Sequence, residues 1–135
     1  MLFRSFVAYS PLGRAFLTGT VDPSALAADD FRRHNPRFAP GAAAHNARLV
    51  ATLAGVASSR GATPAQIALA WLLHVQPHVI PIPGTRRVPY LEANVAAASV
   101  TLTPNEVALL DRLFDPAAVA GERYPEAGFQ GIERG

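Results

Sequence analysis

The chain has 135 residues, of which half are apolar and 16% are charged, so it fits one modest domain and is not a disordered chain. No apolar run approaches the roughly 20 residues that cross a bilayer, and no cleavage pattern follows the N-terminus, so we expect a cytoplasmic protein with no membrane partner. The net charge of +2 is weak evidence for a nucleic-acid partner, and we expect none.

The residue types exclude several kinds of chemistry. All 12 basic residues are Arg and the sequence has no Lys, so no ammonium group can form a Schiff base or lower a neighbouring pKa. The absence of Cys excludes disulfides and thiolate sites. The four His residues lack metal-ligand spacing, so no metal is expected. We interpret His45 as a solvated loop residue and His74 as a core residue on a buried helix.

The first half of the chain begins with a strand. Residues 6–9 (FVAY) are apolar on both faces, as in a strand buried on two sides of a parallel sheet, and the turn SPLG closes them. Residues 20–41 carry three Pro and mixed charges, which predicts a long loop with one short helix over residues 24–28. From residue 43 the apolar spacing predicts a helix that ends at Arg60-Gly61.

The second half alternates helix and strand. TPAQ at residues 63–66 is a capping box before a helix that is apolar nearly all round, which we expect to be deeply buried and to end at Gln76. Residues 79–82 (VIPI) predict a second buried strand, with Pro81 tolerable only where no ladder donor is needed.

Two more helices are predicted after the second strand. One spans residues 86–98, and the other follows the Thr-Pro start at residue 103, with an irregular tail after it. Strands alternating with helices favour parallel βα units. Because two strands cannot complete such a sheet, we expect part of a larger one.

The first strand end carries side chains suited to a cofactor. In βα folds, ligands bind at the carboxyl ends of the strands. The ring of Tyr9 could stack on a flat heterocycle, while Ser10, the backbone beside Gly13 and the guanidinium of Arg14 could meet a pyrophosphate. The alternative is a core aromatic residue followed by an ordinary turn.

The second strand end carries glycine and arginine. Gly84 permits close approach of a ligand, Thr85 is expected as the helix N-cap, and Arg86 with Arg87 adds positive charge beside free N–H groups. On the predicted helix, positions 86, 90 and 94 share one face, so a phosphate at the tip and Asn94 on a purine edge would fit. The alternative is a solvated helix start.

Five segments together resemble the C-terminal portion of the aldo-keto reductase family. In chain order they are AYSPLGRAFLTG, DFRRHNPRF, TPAQIALAWLL, PIPGTRRVPYLEANVAA and LTPNEVALLDRLF. The resemblance covers residues 6–124, with 125–135 as a tail of the same single domain, and is closest to bacterial members with PIPGTRR. It implies an α/β fold, a partial TIM (β/α)8 barrel whose two parallel strands, the seventh and eighth, have mostly helical surroundings.

The resemblance also implies NADP(H) as cofactor and a set of binding residues. Tyr9 would stack on the nicotinamide, and Arg86 would hold the phosphate on the adenosine ribose. The full set implied is Tyr9, Ser10, Leu12, Gly13, Arg14, Gly84, Thr85, Arg86, Tyr90 and Asn94.

The chain departs from the family pattern in ways that bear on activity. Ala93 replaces an acidic residue, and Ala15 stands where glycine is common, which would crowd the loop. The family's catalytic Asp, Tyr, Lys and His lie on earlier strands, which are absent from these residues, and Tyr124 in the tail is not a convincing proton donor. We therefore expect a cofactor-binding portion that is not catalytic alone. The alternative is a subunit that associates with itself or with a chain completing the barrel.

Overall fold

A computed structural model describes residues 4–75 and 77–131. The predicted helix end at Gln76, the residues at the extreme N-terminus and the last part of the tail lie outside the described residues. The strands and α-helices are β1 (Phe6–Tyr9), α1 (Pro40–Ser59), α2 (Pro64–Val75), β2 (Val79–Ile82), α3 (Val88–Ala96) and α4 (Pro104–Leu113). Within the described part, no helix is both long and apolar enough to span a membrane.

The two strands form a parallel pair, as predicted. Phe6 pairs with Val79 and Tyr9 with Ile82, and the N–H of Phe6 donates to the carbonyl of His78 at 2.9 Å. In a parallel ladder, successive residues direct their backbone groups to alternate sides. The backbone nitrogen of Pro81, which carries no hydrogen, therefore faces away from β1, so its lack of a donor costs the β1–β2 ladder no hydrogen bond. The α/β class and the partial barrel are confirmed.

Capping boxes fix the starts of two helices, the one predicted at Thr63 and a second at the predicted Thr-Pro start at Thr103. The Thr63 hydroxyl accepts from the Gln66 N–H at 3.2 Å, and the Gln66 side chain accepts from the Thr63 N–H at 2.9 Å. The same reciprocal arrangement joins Thr103 and Glu106 at the start of α4. Each box satisfies backbone donors that the first helical turn leaves unpaired, so α2 and α4 begin where the sequence predicts.

The long loop and α1 differ in detail from the prediction. α1 begins at Pro40 rather than at residue 43, because proline fits the first helical turn, where its missing N–H is not needed. The short helix expected over residues 24–28 is a 3-10 turn, Pro23–Ala25, capped by the Asp22 carboxylate. Further 3-10 turns at Phe31–His34 and Pro36–Phe38 bring the loop back to α1.

The core lies where α1, α2 and α4 meet. Leu53, Ile67 and Leu110 are fully buried there, and smaller residues of the same helices fill the space between them. Burying a side chain of this size contributes roughly 1.5–3 kcal/mol, so the helical layer supplies most of the packing energy of the described chain.

The strands are more exposed than predicted. Phe6 is 61% and Ile82 50% exposed, whereas both strands were expected to be buried on two faces. The prediction was wrong for this chain, because covering both faces of a parallel sheet takes layers that the described residues do not supply. The end of α2 is exposed as well, so His74 lies at the surface and not in the core.

Candidate functional site

The two predicted strand ends lie side by side. Tyr9, the last residue of β1, is paired with Ile82, the last residue of β2. The loops that follow, residues 10–15 and 83–87, therefore leave the sheet at its carboxyl end. Parallel βα folds place their ligands at this end of the sheet.

The loop after β1 is a tight left-handed turn. Gly13, Arg14 and Ala15 have successive φ values of 57°, 58° and 71°, and Ser10 has a φ of 49°. The N–H of Gly13 donates to the carbonyl of Ser10 at 2.9 Å. Non-glycine residues adopt this conformation at a cost of about 1–2 kcal/mol each. Glycine would therefore suit position 15 for backbone reasons, and Ala15 stores strain beside the strand end.

An ion pair supports this loop from the neighbouring 3-10 turn. The guanidinium of Arg32 donates to the Asp30 carboxylate at 2.6 Å and to the carbonyl of Arg14 at 3.4 Å. The hydrogen bond from Arg32 lowers the pKa of Asp30 to about 2. Leu12 packs against the hydrophobic core, and its carbonyl accepts from the N–H of Leu17 at 3.2 Å, so both its side chain and its backbone anchor the loop.

The loop after β2 differs from the prediction. α3 begins at Val88, and residues 83–87 are not helical. Thr85 is not the N-cap, since its hydroxyl donates to the carbonyl of Arg87 at 3.3 Å. The reason is Pro89: a helix starting at Arg86 would place proline where the first intrahelical N–H bond is due.

Because Arg86 precedes α3, it does not share a helical face with Tyr90 and Asn94, as was predicted. Tyr90 and Asn94 remain one turn apart on α3, with Asn94 half-buried beside an open cleft of about 290 Å³. Arg86 is exposed in the non-helical segment before α3. A side chain built on Gly84 would meet no protein atom within 4 Å, so its backbone is open to a ligand.

Comparison with known proteins identifies the family. The family model described as "Aldo/keto reductase family" matches residues 5–115. The chain belongs to the aldo-keto reductase family. A relative named aldo-keto reductase str7 from Strobilurus tenacellus is 42% identical over 92% of this chain, and "Aldo-keto reductase yakc [NADP(+)]" from Schizosaccharomyces pombe is 42% identical over 90%.

The aldo-keto reductase relatives are longer than this chain. The chain spans 37% of the first fungal relative and 36% of the second. A crystal structure of a thermostable aldo-keto reductase in complex with the inhibitor epalrestat matches with a TM-score of 0.55 and 33% identity, over 81% of this chain and 29% of that one. Both sequence relatives are fungal, so the expected likeness to bacterial members stays a prediction.

In this aldo-keto reductase chain the tail contributes to the first strand end, which the sequence did not indicate. The hydroxyl groups of Tyr9 and Tyr124 lie 2.6 Å apart, and the guanidinium carbon of Arg14 lies 5.1 Å from the centre of the Tyr124 ring. The hydrogen bond from Tyr124, with smaller effects of Arg123 and Arg14, lowers the pKa of Tyr9 from its ordinary value of 10. The same bond raises the pKa of Tyr124.

Two buried asparagines hold residues 118–124, which we call the strap, against the body of the protein. Asn46 donates to the carbonyl of Ala120 and accepts from its N–H, both at 2.9 Å. Asn35 donates to the carbonyl of Arg123 at 2.9 Å. Each asparagine is only 5% exposed. His45, expected in a solvated loop, lies on α1, and its ring nitrogen is 2.9 Å from the carbonyl of Ala118.

The strap also brings positive charge together beside Tyr9. The pKa of Arg37 is lowered first by its burial and then by the charges of Arg123 and Arg14. Like charges lower the pKa of a cation when they are close neighbours. The Arg37 guanidinium donates to the carbonyl of Gly121 at 3.2 Å. Arg14 and Arg123 therefore lie near Tyr9, and Arg37 lies near both of them; the sequence indicates only Arg14.

Outside the two strand ends, the described surface has a groove but no group of side chains suited to a metal ion. A groove of about 870 Å³ lies between the long loop and α1. It is lined by residues such as Leu26, Phe38 and Ala47 and includes none of the ten predicted cofactor residues. Among residues 4–75 and 77–131, no group of three or more His, Asp or Glu side chains could hold a metal ion.

Proposed function

We propose that the paired strand ends bind NADP(H). The observation that carries this proposal is the parallel register, which sets Tyr9 beside the start of the loop that holds Arg86. Tyr9 would stack on the nicotinamide, and the turn at residues 10–14 would hold the pyrophosphate. Gly84 to Arg86 would hold the phosphate on the adenosine ribose, and Asn94 the adenine, with Tyr90 on the same face of α3.

The charge and shape of the site fit this cofactor. Guanidinium groups pair with phosphate oxygens in a bidentate manner, and the site offers them at both strand ends. Gly84 is open to solvent, and Tyr9 leaves 52% of its surface exposed, so a flat ring and a phosphate can each reach their proposed partners. The relative from Schizosaccharomyces pombe carries NADP(+) in its name, which favours the same cofactor here.

We further propose that these 135 residues bind the cofactor without reducing carbonyls by themselves. Bound NADPH supplies a hydride, but the carbonyl must also be polarised and protonated. The family's proton donor is a Tyr whose pKa a nearby Lys lowers, and the sequence contains no Lys. Tyr9 and Tyr124 bond to each other, and each is already engaged at the cofactor site.

Titration of NADPH against the chain tests the proposal, with the fluorescence of Trp71 and of the nucleotide as readouts. Arg86→Ala should weaken NADPH binding by about tenfold or more and NADH binding much less, since only NADPH carries the ribose phosphate. Arg112→Ala is the matched control: it removes the same charge from an exposed position on α4 and should leave affinity unchanged. Absence of NADPH binding, or equal losses in both variants, would overturn the proposal.

A second candidate function is association, either between copies or with a chain that completes the barrel. The observation that favours it is the exposure of apolar side chains on both strands, with Phe6 61% and Val7 50% exposed. Exposed apolar strands with open edges favour association. Native mass spectrometry of the purified chain should then show dimers or larger species, and a stable monomer across a dilution series would rule out self-association.

A further inference from the structure

We propose that Tyr124 is a positioning residue of the cofactor site, holding both Tyr9 and Arg14 in place for the dinucleotide. This inference rests on the proposed NADP(H) binding and adds a residue from the tail to it. The geometry that points to it is one side chain with two contacts. The hydroxyl of Tyr124 bonds to Tyr9 at 2.6 Å, and its ring lies 5.1 Å from the guanidinium carbon of Arg14.

Both partners of Tyr124 are side chains that need outside support. Tyr9 is 52% exposed at the carboxyl end of β1, so little packing restrains its ring. Arg14 has several rotatable bonds and lies within the left-handed turn, with a φ of 58°. Fixing such side chains before a ligand arrives removes part of the entropy cost of binding. A hydroxyl–hydroxyl bond and a cation–π contact from one ring restrain both at once.

Tyr124 can do this because its own position is fixed. The carbonyl of the preceding residue, Arg123, accepts from buried Asn35 at 2.9 Å. On the other side, the ring of Phe129 meets the Tyr124 ring edge-on, with centres 5.8 Å apart. Asn46 holds the strap at Ala120 from within α1. The tail therefore reaches the strand end as an ordered segment with several independent anchors.

Four variants separate the two contacts. Tyr124→Phe removes the hydroxyl but keeps the ring under Arg14, whereas Tyr124→Ala removes both contacts. Tyr9→Phe keeps the stacking ring and removes the other hydroxyl, and the Tyr9→Phe/Tyr124→Phe double variant closes a thermodynamic cycle. Each is titrated with NADPH and with adenosine 2′-monophosphate, which carries only the groups that the second strand end would bind.

We expect Tyr124→Phe to weaken NADPH binding about threefold and Tyr124→Ala about tenfold. The double variant should bind about as weakly as either Phe variant, because both substitutions break the same hydrogen bond. Binding of adenosine 2′-monophosphate should not change in any of them. A variant that merely unfolded the chain would lose both ligands.

Tyrosine absorbance supplies a readout that needs no cofactor. The bond from Tyr124 lowers the pKa of Tyr9 below 10, so Tyr124→Phe should raise the pKa of Tyr9 towards that ordinary value. Three results would overturn the role of Tyr124: unchanged NADPH affinity in both Tyr124 variants, multiplied losses in the double variant, or equal losses for both ligands. Failure of the unsubstituted chain to bind NADPH would instead refute the proposed function, and the role of Tyr124 with it.

Discussion

Gly121→Ala is the sharpest test of the strap, because the glycine there has no room for a side chain. Its φ is +83°, and an added Cβ would lie 2.7 Å from the carbonyl oxygen of Pro36 and 2.9 Å from the nitrogen of Arg37. Both contacts are with backbone atoms, which cannot rotate away. The left-handed backbone costs about 1–2 kcal/mol for alanine, and the clash adds on the order of 1–3 kcal/mol. We expect a loss of about 2–5 kcal/mol in the free energy of unfolding, or of strap docking if the strap alone detaches.

Urea unfolding followed by the fluorescence of Trp71 measures this loss, since Trp71 bonds to Asp111 at 2.8 Å beside the core. Gly61→Ala is the matched control: its φ is +61° with no atom within 4 Å, so it introduces backbone strain without a clash. Hydrogen exchange at Ala120 reports strap detachment directly, because that N–H donates to Asn46 at 2.9 Å. A loss no larger than that of Gly61→Ala, with Ala120 still protected, would refute the tight fit of the strap.

Four further substitutions test the strap anchor, the first strand end and the acid response. Asn46→Ala should lower the free energy of unfolding by about 1–3 kcal/mol, because the partly buried N–H and carbonyl of Ala120 lose their partner; urea unfolding measures this loss. Ala15→Gly at φ 71° should stabilise the chain and Gly13→Ala at φ 57° destabilise it, each by about 1 kcal/mol, as thermal unfolding would show. Arg60 holds the pKa of Glu106 at about 2, below the ordinary 4.5. The folded pKa is the lower one, so this contribution is present above 4.5 and is lost as pH falls towards 2. The Glu106→Gln variant should therefore be less stable than the unsubstituted chain at neutral pH, and its stability should fall less on acidification. Urea unfolding at neutral pH and at a pH of about 2 would show both effects.

The elements that the sequence predicts best are those determined by contacts between residues close together in the chain. The capping boxes at Thr63 and Thr103 act over three residues, so their chemistry is complete in the sequence. The core positions on α1 and α4 follow from helical spacing for the same reason. The parallel pairing of the strands also followed, since a strand, crossover and strand in one sheet leaves few alternatives.

The boundary of α3 follows from a local signal in the sequence, Pro89. Proline is tolerated in the first turn of a helix and not beyond it. Pro89 therefore excludes a helix that starts at Arg86, and the segment holding Thr85 and Arg86 precedes α3. Thr85 and Arg86 still lie at the end of β2, as predicted, but they are not part of the helix.

The strap could not be predicted from local pattern, because its bonds join distant parts of the chain. Asn35 and Arg123 are 88 positions apart, and Asn46 and Ala120 are 74 apart. One signal existed: Asn46 lies on the buried face of α1 with Ala43, Val50 and Leu53. An amide among apolar core positions indicates a polar partner that the sequence does not identify.

The direction of Pro81 makes the two edges of the sheet chemically different. Residues of β1 that face away from β2, such as Val7, carry an N–H that an incoming strand can use, whereas the outer edge of β2 lacks a donor at Pro81. A proline at an edge discourages strand addition. A strand that joins this sheet can therefore form an uninterrupted hydrogen-bond ladder beside β1 but only an interrupted one beside β2.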